Sequence, residues 1–506
     1  MKSLIKIGAR KSELARLQAR LVGNRIQALG YPVEYLFREA PGDVDLSSPL
    51  WQMPQVGVFT SFLHRALVKR EVDLVVHSWK DLPIDKTPGT IVAGTLKRED
   101  VRDLLLVKKN AMSESYDKRT FNILTSSPRR QHNLTKFLPD VLPIPGAIKI
   151  GFSDVRGNIQ TRMRKLLDNP HAQGLVVAKA AVDRFLETSE PEFQLAKQAV
   201  KATLQECVWA VLPISANPTA AAQGALALEI SDDDARMQEV VSQLNDRESF
   251  ETCEIERNTL KSHGGGCHQK IGCSVLARSY GKVFSLRGLS PKGEELNEFV
   301  VLNDPGHLSV RAGSQNFFCV GGKEGLSLFS RKETSEATVD FSHRPLFIAK
   351  AEALPSTWKN PSSLLWTAGI ESWKKLAARG IWVNGCCDRL GENDGEFQVD
   401  LLHGTRPNWL KLTHSESEIS QLETLGTYRL QTDTSNEFQV PDDVTHIYWA
   451  SGSAFEHLTT KFSHLLKAVH GCGPGHTLQR VREKIPSERV VIALSYDEFK
   501  VKCSGI

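Results

Sequence analysis

The stretch LIKIGARKSELARLQARLVGNRIQALG, Leu4 to Gly30, decides the fold class. Its first residues predict a strand over Leu4 to Ala9, and leucine, valine and isoleucine then recur at helical spacing from Ser12 until Gly30 provides a stop. Further along the chain, a helix is predicted around Phe59 to Lys69. Further strands are predicted at Val33 to Phe37, Asp73 to His77, Gly174 to Ala178 and Ala225 to Ile230. Strand–helix–strand repetition of this kind predicts an α/β protein with parallel sheets.

Composition excludes several classes of protein. The 506 residues hold 63 Lys and Arg against 59 Asp and Glu, a surplus too small to indicate a nucleic-acid or membrane surface by itself. No stretch approaches the ~18–20 uncharged apolar residues that cross a bilayer. Charges at Lys2, Lys6, Arg10 and Lys11 interrupt any signal-peptide core, and nine irregularly spaced cysteines suit a reducing compartment. We therefore expect a cytoplasmic protein of about three or four domains.

The run HSWKDLP, His77 to Pro83, directly follows a predicted strand. Ligands of open α/β sheets bind beyond the carboxyl ends of strands, so this is a favourable place for a site. Ser78, Lys80 and Asp81 supply a hydroxyl, a cation and a carboxylate. The alternative is a capped turn with a surface ion pair, and the seven residues alone do not decide between them.

Two further runs, TSSPRRQ (Thr125 to Gln131) and DVRGNIQTR (Asp154 to Arg162), combine hydroxyls or a Gly-Asn turn with arginines. Hydroxyls near a helix N-terminus followed by guanidinium groups suit carboxylate or phosphate binding. Each run taken singly is more often a solvated face. Because all three runs follow predicted strands, together they indicate a pocket for a polyanion.

The run HGGGCHQKIGC, His263 to Cys273, predicts a loop, since three consecutive glycines disfavour regular structure. Cys267 among basic residues could be a nucleophile with a lowered pKa. One alternative is an inert cysteine in a turn. Another is a metal site of His263, Cys267, His268 and Cys273, which the absence of paired Cys-x-x-Cys spacing disfavours, so we expect no metal.

The motifs IGARKSELARLQA, PGDVDLSSPL, VHSWKDLP, EDVRD, TSSPRRQ, VRGNIQTR, AAQGALALE and GGGCHQKIG occur in the order typical of porphobilinogen deaminase, and residues 4 to 290 resemble that family. The resemblance implies a transferase that joins four porphobilinogen molecules head to tail with release of ammonia, giving hydroxymethylbilane. It implies a dipyrromethane cofactor attached by a thioether to Cys267, and catalysis by Asp81 with Lys80.

The resemblance also assigns binding residues. For the cofactor these are Cys267, Ser78, Lys80, Asp81, Thr125, Ser126, Ser127, Arg129, Arg130, Arg156, Gly157, Asn158, Gln223 and Gly224. For the substrate they are Arg10, Ser12, Arg156, Arg162 and Arg184. One segment departs from the family pattern, because Pro41, Gln52 and Val56 stand where an arginine and two lysines are usual. Arg65 or Lys69 could compensate for these cations.

The family fold implies two α/β lobes of periplasmic-binding-protein type and a small α+β domain that carries the cysteine. We expect one lobe from residues 1–100 and 217–245, a second from 101–216, the cysteine domain at 246–340 and a C-terminal α/β domain at 345–506. We also expect a monomer that contacts neither nucleic acid nor membrane.

The C-terminal region carries a weaker resemblance. YWASGSAFEHL and GCGPGHTLQRVRE resemble uroporphyrinogen-III synthase, which implies a possible second activity that closes the bilane into a ring. Ser451, Ser453 and His476 could instead be helix caps only, and the pair Cys386–Cys387 with His470, Cys472 and His476 could be incidental.

Two other functions stay open for the whole chain. A two-lobed binding protein without catalysis would explain the arginines, but it gives no role to Asp81 together with the glycine-flanked Cys267. Nucleic-acid binding would need aromatic residues among the basic motifs, and these are absent.

Overall fold

A computed structural model describes residues 2–39, 61–112, 119–265, 269–302, 315–321, 328–334, 341, 343–358, 364–392, 397–416, 420–432 and 440–504. The chain forms two compact units. Unit 1 comprises Met1–Ala277, Ser285–Glu298 and Val399–Arg406, and unit 2 comprises Arg278–Phe284, Phe299–Gln398 and Pro407–Ile506. No helix in these ranges has the length and apolar character required to span a membrane.

The first sheet of unit 1 has five strands in the order β2-β1-β3-β10-β4. Four of them run parallel, while β10 is antiparallel to both neighbours. The strands are β1 (Ile5–Arg10), β2 (Val33–Arg38), β3 (Leu74–Ser78), β4 (Thr90–Gly94) and β10 (Leu226–Ser231). Helices α1 (Glu13–Ala28), α2 (Ser61–Val68) and α7 (Ala235–Ser242) accompany this sheet. Alternating apolar residues of β1 and β3 pack with Val22 and Ile26 of α1 in one core.

The second sheet repeats the pattern with the order β7-β6-β8-β5-β9, in which β5 is the antiparallel strand. Its strands are β5 (Asp103–Lys108), β6 (Thr120–Leu124), β7 (Lys149–Ser153), β8 (Gly174–Ala178) and β9 (Cys207–Val211). The accompanying helices are α3 (Pro128–Val141), α4 (Ile159–Asp168), α5 (Lys179–Glu187) and α6 (Gln194–Gln205). The two sheets therefore share one topology.

The predicted strands are present, but the expectation of purely parallel sheets is wrong for one strand in each. The chain crosses from the first sheet to the second through residues 95–102 and returns through 212–225. After each crossing, the chain begins a new strand beside the carboxyl end of an existing one. Asp103 starts β5 opposite Ala178, the last residue of β8, and Leu226 starts β10 opposite Ser78, the last residue of β3. A strand that enters at that edge must run antiparallel, and both crossing segments consequently lie at carboxyl edges, where α/β proteins bind ligands.

Helix α8 (Arg247–Ser262) leads towards the glycine-rich loop, and a three-stranded sheet follows with the order β11-β12-β13. These strands are β11 (Lys270–Arg278), β12 (Gly281–Leu289) and β13 (Glu295–Leu302). Cys267 and His268 lie outside the described residues. The polar run at 333–344 lies partly outside them too, and Glu333 ends a strand.

Unit 2 contains two more sheets. The six-stranded sheet has the order β15-β20-β19-β16-β17-β18 and is parallel except for β15, and the four-stranded sheet β14-β21-β22-β23 is parallel throughout. The strands are β14 (Phe317–Val320), β15 (Phe329–Glu333), β16 (Leu346–Ile348), β17 (Leu365–Thr367), β18 (Gly385–Cys386), β19 (Leu410–His414), β20 (Glu423–Thr432), β21 (His446–Trp449), β22 (Val469–Cys472) and β23 (Val490–Ile492). The helices are α9 (Ile370–Ala378), α10 (Asp400–His403, in unit 1), α11 (Gly452–Lys461), α12 (His476–Lys484) and α13 (Tyr496–Ser504).

Candidate active site at the carboxyl edges of two sheets

A short 3₁₀ turn, Trp79–Asp81, follows β3 and presents two of the predicted catalytic residues. Trp79 is buried against Phe250, and its backbone N–H donates to the carbonyl of Ala225 at 3.1 Å. The turn is therefore fixed to the sheet while its polar side chains project from the edge. The side chain of Asp81 is 41% exposed, and its Oδ2 lies 3.9 Å from Nη1 of Arg10 at the end of β1.

Lys80 belongs to a chain of hydrogen bonds that leads to a buried carboxylate. Its Nζ donates to Oε1 of Gln223 at 3.2 Å, and Nε2 of Gln223 donates to Oδ1 of Asp103 at 2.9 Å. Burial lowers the pKa of Lys80 to about 8, and Arg130 acts in the same direction, against the opposing effect of Asp81. Lys80 is thus a cation that can lose its charge near neutral pH.

Arg162 lies at the centre of a group of guanidinium side chains. Its Nε donates to the carbonyl of Gly157 at 2.8 Å. Burial and, after it, the proximity of Arg130, Arg156 and Arg10 lower the pKa of Arg162 to about 10, whereas Asp81 opposes the shift. The guanidinium groups of Arg10, Arg130, Arg156 and Arg162 therefore share one region with the carboxylates of Asp81 and Asp103, the latter paired with Arg130. The surplus of positive charge suits a ligand with several carboxylates.

Arg129 and Arg130 are brought to the site, but they are buried and already paired with Asp103. Oδ2 of Asp103 accepts from Nη2 of Arg129 at 3.0 Å and from Nε of Arg130 at 3.0 Å, and Oδ1 accepts from Nη2 of Arg130 at 2.6 Å. These cations hold the pKa of Asp103 far below its usual range despite its burial. Asp103 is the main residue that the sequence interpretation missed, although it stands in the quoted motif EDVRD. Its position at the start of a strand, six residues after a Lys-Arg pair, was the available signal.

Several of the predicted hydroxyl and amide residues support the backbone. Ser127 is the N-cap of α3 and accepts from the N–H of Arg130 at 3.4 Å, while Asn158 caps α4 through the N–H of Thr161 at 2.8 Å. Ser126 exchanges hydrogen bonds with the backbone of Val155.

Three more predicted residues have comparable positions. Thr125 is buried and accepts from the N–H of Ser127 at 3.3 Å. Ser78 bonds to the side chain of Gln18, a buried residue that the sequence interpretation did not single out. Ser12 is the N-cap residue of α1, without a side-chain capping bond.

Gly157 and Gly224 both adopt left-handed backbone conformations, with φ of +107° and +91°. A Cβ at Gly224 would lie 2.7 Å from the carbonyl oxygen of Glu99, so the returning segment can approach residues 98–100 only with glycine there. The carbonyl of Gly224 accepts from Nη2 of Arg184 at 2.6 Å. Arg184 is buried, and it lines a small pocket with Ser78, Lys80 and Gly224, which come from both sheets.

The charged run at 96–103, where the chain passes between the two sheets, contains buried ion pairs. Arg98 forms a two-pronged ion pair with Glu256, at 2.8 Å for both bonds, and donates from Nε to the carbonyl of Gln223. Glu256 also accepts from the N–H groups of Ala222 and Val275, each at 2.6 Å. This carboxylate therefore joins α8 to the segment that carries Gln223, a link that sequence spacing could not reveal.

The described ends of the cysteine loop lie beside the Asp81 segment. Arg257 of α8 donates to the carbonyl of Pro83, and Nζ of Lys261 lies 3.2 Å from Oδ1 of Asp85. A Cβ at Gly265 would lie 3.6 Å from Cβ of Ile84. Gly265 precedes Cys267 by two residues. The loop that carries Cys267 therefore begins beside the segment that follows Asp81 in the chain.

Two members of the metal alternative, Cys267 and His268, lie outside the described residues. Cys273 is buried, and burial raises the pKa of its thiol. His263 is the C-cap residue of α8. Pro41, Gln52 and Val56 lie outside the described residues. Arg65 and Lys69 are exposed near α2.

In the C-terminal region, Ser451 caps α11 by accepting from the N–H of Ala454 at 3.2 Å, while Ser453 lies within that helix. Cys386, Cys387 and Cys472 are buried free thiols, and His470 accepts from the indole N–H of Trp449 at 2.9 Å. Burial lowers the pKa of His470 to about 4. Capping and burial in the core account for these residues. His476 differs from them, because its Nε2 lies 2.8 Å from Oε1 of Glu392.

Together, the fold and the candidate site define an α/β protein with an arginine-rich site at the carboxyl edges of two sheets. The sequence model described as porphobilinogen deaminase, dipyrromethane cofactor binding domain, matches residues 5–239. The chain is 32% identical over 268 residues to a probable porphobilinogen deaminase of Picrophilus torridus, covering 53% of this chain and 84% of that one. It is 32% identical to the porphobilinogen deaminase of Caldicellulosiruptor saccharolyticus, covering 53% and 83% of the two chains. For the porphobilinogen deaminase of Dictyostelium discoideum, identity is 32% and the coverages are 53% and 76%.

The chain belongs to the porphobilinogen deaminase family. Its activity is that of a transferase, a hydroxymethylbilane synthase of tetrapyrrole biosynthesis, with dipyrromethane as its cofactor. Among solved structures, the methionine-binding protein MetQ matches 49% of this chain and 92% of its own at 11% identity, with a TM-score of 0.28, too low to support an argument. The comparisons do not bear out the expected likeness of residues 345–506 to uroporphyrinogen-III synthase or a second activity there.

Proposed function

We propose that Asp81 is the catalytic carboxylate of this enzyme, that Lys80 assists it, and that Cys267 carries the dipyrromethane group. The observation that carries the proposal is the position of Asp81, a partly exposed carboxylate set among Arg10 and Arg162 at the carboxyl edge of the first sheet. The donor set fits the cofactor, because an acidic group and a cluster of guanidinium groups face the same region.

Asp81 has the properties that the chemistry demands. Loss of ammonia from the aminomethyl group of porphobilinogen leaves an electron-poor cation, which a fixed carboxylate stabilises. The same carboxylate can accept the proton that the coupled pyrrole carbon releases. The dipyrromethane group, when bound, supplies the pyrrole carbon from which the chain grows.

The cations divide into two groups by burial. Arg10 and Arg162 lie near Asp81, and Arg156 lies near Arg162; we assign these three arginines to the acetate and propionate groups of the substrate and cofactor. Arg129 and Arg130 form ion pairs with Asp103, so we assign them the role of setting the positive potential and the shape of the region. Their remaining N–H groups can donate to the carboxylates of the cofactor. Arg184 acts through the carbonyl of Gly224 at the pocket wall.

The remaining assignments follow from the same positions. Ser12, Ser78, Thr125, Ser126, Ser127, Gly157, Asn158, Gln223 and Gly224 shape the backbone around the cofactor. Gly265 lies beside Ile84, and two residues span at most about 7 Å, which supports a thioether at Cys267 beside the Asp81 segment. We further propose the four-part domain division predicted above and a cytoplasmic monomer, for which the eight free cysteines among the described residues are supporting observations.

The intact mass of the purified full chain tests the cofactor assignment. Protein from cells that make porphobilinogen should carry an adduct equal to two linked pyrrole units, and Cys267→Ser should lack it. A folded wild-type protein without the adduct would contradict the proposal and favour a binding protein without catalysis.

Ammonia release tests the role of Asp81. Asp81→Asn removes the charge at nearly constant volume, and turnover should fall by about 10²–10⁴-fold. Asp85→Asn is the matched control, since Asp85 lies on the same segment with an 85% exposed side chain. Near-normal turnover of Asp81→Asn, or an equal loss in Asp85→Asn, would refute the assigned role.

A further inference from the structure

Helix α1, which accompanies the first sheet of unit 1, makes polar contacts with elements of the second sheet at both of its ends. At the start of α1, Oε2 of Glu13 accepts from Nε2 of Gln160 on α4 at 2.9 Å. Near its end, Nδ2 of Asn24 donates at 3.2 Å to Oε1 of Glu190, in the segment that joins α5 to α6. These hydrogen bonds connect two sheets that are otherwise joined through the crossing segments 95–102 and 212–225.

Glu192 supplies the charged contact between these two hydrogen bonds. Its carboxylate forms ion pairs with Arg16 and, at 3.5 Å, with Arg20. The guanidinium carbon of Arg16 also lies 5.7 Å from the ring centre of Phe193, a buried residue of the same segment. The contacting residues of α1 stand at positions 13, 16, 20 and 24, a spacing of three and four that places them on one face of a helix. This face therefore spans the gap between the two sheets.

Arg20 is held in position from its own side of the gap. Its guanidinium carbon lies 4.3 Å from the ring centre of Tyr35 on β2, a cation–π contact. A Cβ at Gly23 would clash with Oη of Tyr35, so the ring can reach across α1 only because residue 23 is glycine. The first sheet thus presents Arg20 to Glu192 in a fixed orientation.

The contacts of α1 are weaker than those of the crossing segments. The side chain of Glu192 is 31% exposed, and partly exposed ion pairs contribute little to stability. At the crossing segments, Arg98 pairs with Glu256 and Arg130 pairs with Asp103, and all four side chains are buried. Breaking a buried pair leaves an uncompensated charge and costs far more. Separation of the two sheets at α1 therefore costs less than disruption of either crossing segment.

The contacts of α1 accompany a nearly closed pocket between the sheets. Lys80 lines this pocket from the first sheet and Arg184 from α5 of the second, around a cavity of about 30 Å³. Such a volume holds one or two water molecules. A pyrrole with two carboxylate arms is much larger, so it can reach both cations only when the sheets move apart.

We propose that the polar face of α1 is an electrostatic latch, which holds the two sheets of unit 1 closed and opens to admit porphobilinogen and to release the finished chain. The crossing segments act as the hinge. Glu13 directly follows Ser12, and Gln160 precedes Arg162 by two positions, so opening separates the substrate-binding residues of one sheet from those of the other. The role of the latch in turnover rests on the function proposed above, whereas the opening itself does not.

Acylation of Lys80 in the purified full chain measures opening without reference to activity. Peptide mass spectrometry after brief treatment with acetic anhydride gives the labelling rate of each lysine. Glu192→Gln removes both ion pairs of the latch, and the rate at Lys80 should rise by at least about threefold. The exposed Lys86 serves as the internal standard and should not change. Glu206→Gln, at an exposed glutamate directly after α6, is the matched control and should label as wild type.

A strengthened latch should give the opposite result. Asn24→Lys places an ammonium group beside Glu190, and labelling at Lys80 should fall by about twofold. At about 1 M KCl, where exposed ion pairs are screened, the wild-type rate should approach that of Glu192→Gln.

The outcomes separate the latch from the proposed function. Equal rates at Lys80 in wild type, Glu192→Gln and Asn24→Lys, with unchanged circular dichroism, would overturn the latch, and so would an equal rise in Glu206→Gln. If the rates at Lys80 change as expected but the wild-type protein releases no ammonia from porphobilinogen, the latch stands and the proposed function fails.

Discussion

Nζ of Lys80 donates a 3.2 Å hydrogen bond to Oε1 of Gln223, a residue 143 positions later in the chain. Gln223 is itself fixed, because its Nε2 donates to Asp103 at 2.9 Å and to the carbonyl of Val101 at 2.7 Å. The turn that presents Asp81 is therefore positioned by the segment that returns from the second sheet. Both lobes contribute to the geometry of one short turn.

Lys80 gives a prediction about pH. Burial lowers its pKa to about 8, so its positive charge is present below that pH and is lost as the pH rises through it. If the ammonium binds substrate carboxylates, kcat/KM should fall above about pH 8, mainly through KM. Lys80→Arg keeps its charge and should move this decline to higher pH. A pH profile of ammonia release compares the two proteins, and the same alkaline decline in both would exclude Lys80 as its source.

The Arg98–Glu256 pair gives a prediction about stability. Glu256 is fully buried and accepts four hydrogen bonds, so Arg98→Ala leaves a buried charge without its partner. The free energy of unfolding should fall by about 3–5 kcal/mol, measured by urea denaturation. Arg247→Ala is the control, since Arg247 has an 89% exposed side chain and pairs with Glu251 on the same helix; it should change stability by less than about 0.5 kcal/mol. Equal losses in the two variants would show that burial does not determine the effect.

The sequence predicted the elements well where local signals suffice. Apolar periodicity placed β1, α1, β2 and β3, and Ser127 occupies the helix N-terminus that its motif indicated. The turn after β3 that carries Lys80 and Asp81 was singled out because α/β proteins bind ligands beyond the carboxyl ends of strands.

Long-range pairing could not be predicted in the same way. Arg129 and Arg130 were expected to face a ligand, but Asp103 holds both guanidinium groups, and no spacing rule links positions 26 and 27 residues apart across a sheet. The antiparallel direction of β10 likewise depends on where the chain re-enters the first sheet, which is a property of topology and not of the strand's own residues.

Arg257 gives a prediction about the cysteine loop. Its guanidinium group donates to the carbonyls of Trp79 and Leu82, both at 3.4 Å, and to that of Pro83, so it ties α8 to the segment around Asp81. Arg257→Met keeps the apolar stem but releases this tie. We expect kcat to fall by about tenfold with little change in KM, because misplacement of the reacting groups affects the chemical step more than binding. Steady-state kinetics of holoenzyme with a verified adduct mass measures this, and a change in KM alone would contradict a positioning role.

Gly224 gives a prediction that separates backbone conformation from close packing. Gly224→Ala must adopt φ near +91° and place a Cβ 2.7 Å from the carbonyl oxygen of Glu99. Gly293→Ala meets only the first cost, because Gly293 has φ of +84° and no heavy atom within 4 Å of a Cβ. Gly293→Ala should therefore lower the free energy of unfolding by about 1–2 kcal/mol, and Gly224→Ala by more than about 3 kcal/mol. Because the carbonyl of Gly224 accepts from Arg184, the shift should also reduce turnover in Gly224→Ala alone. Urea denaturation and ammonia release are measured on both variants. Equal free energies of unfolding would mean that residues 98–100 move to accommodate the added methyl group and that the close approach at Gly224 has no role in the site.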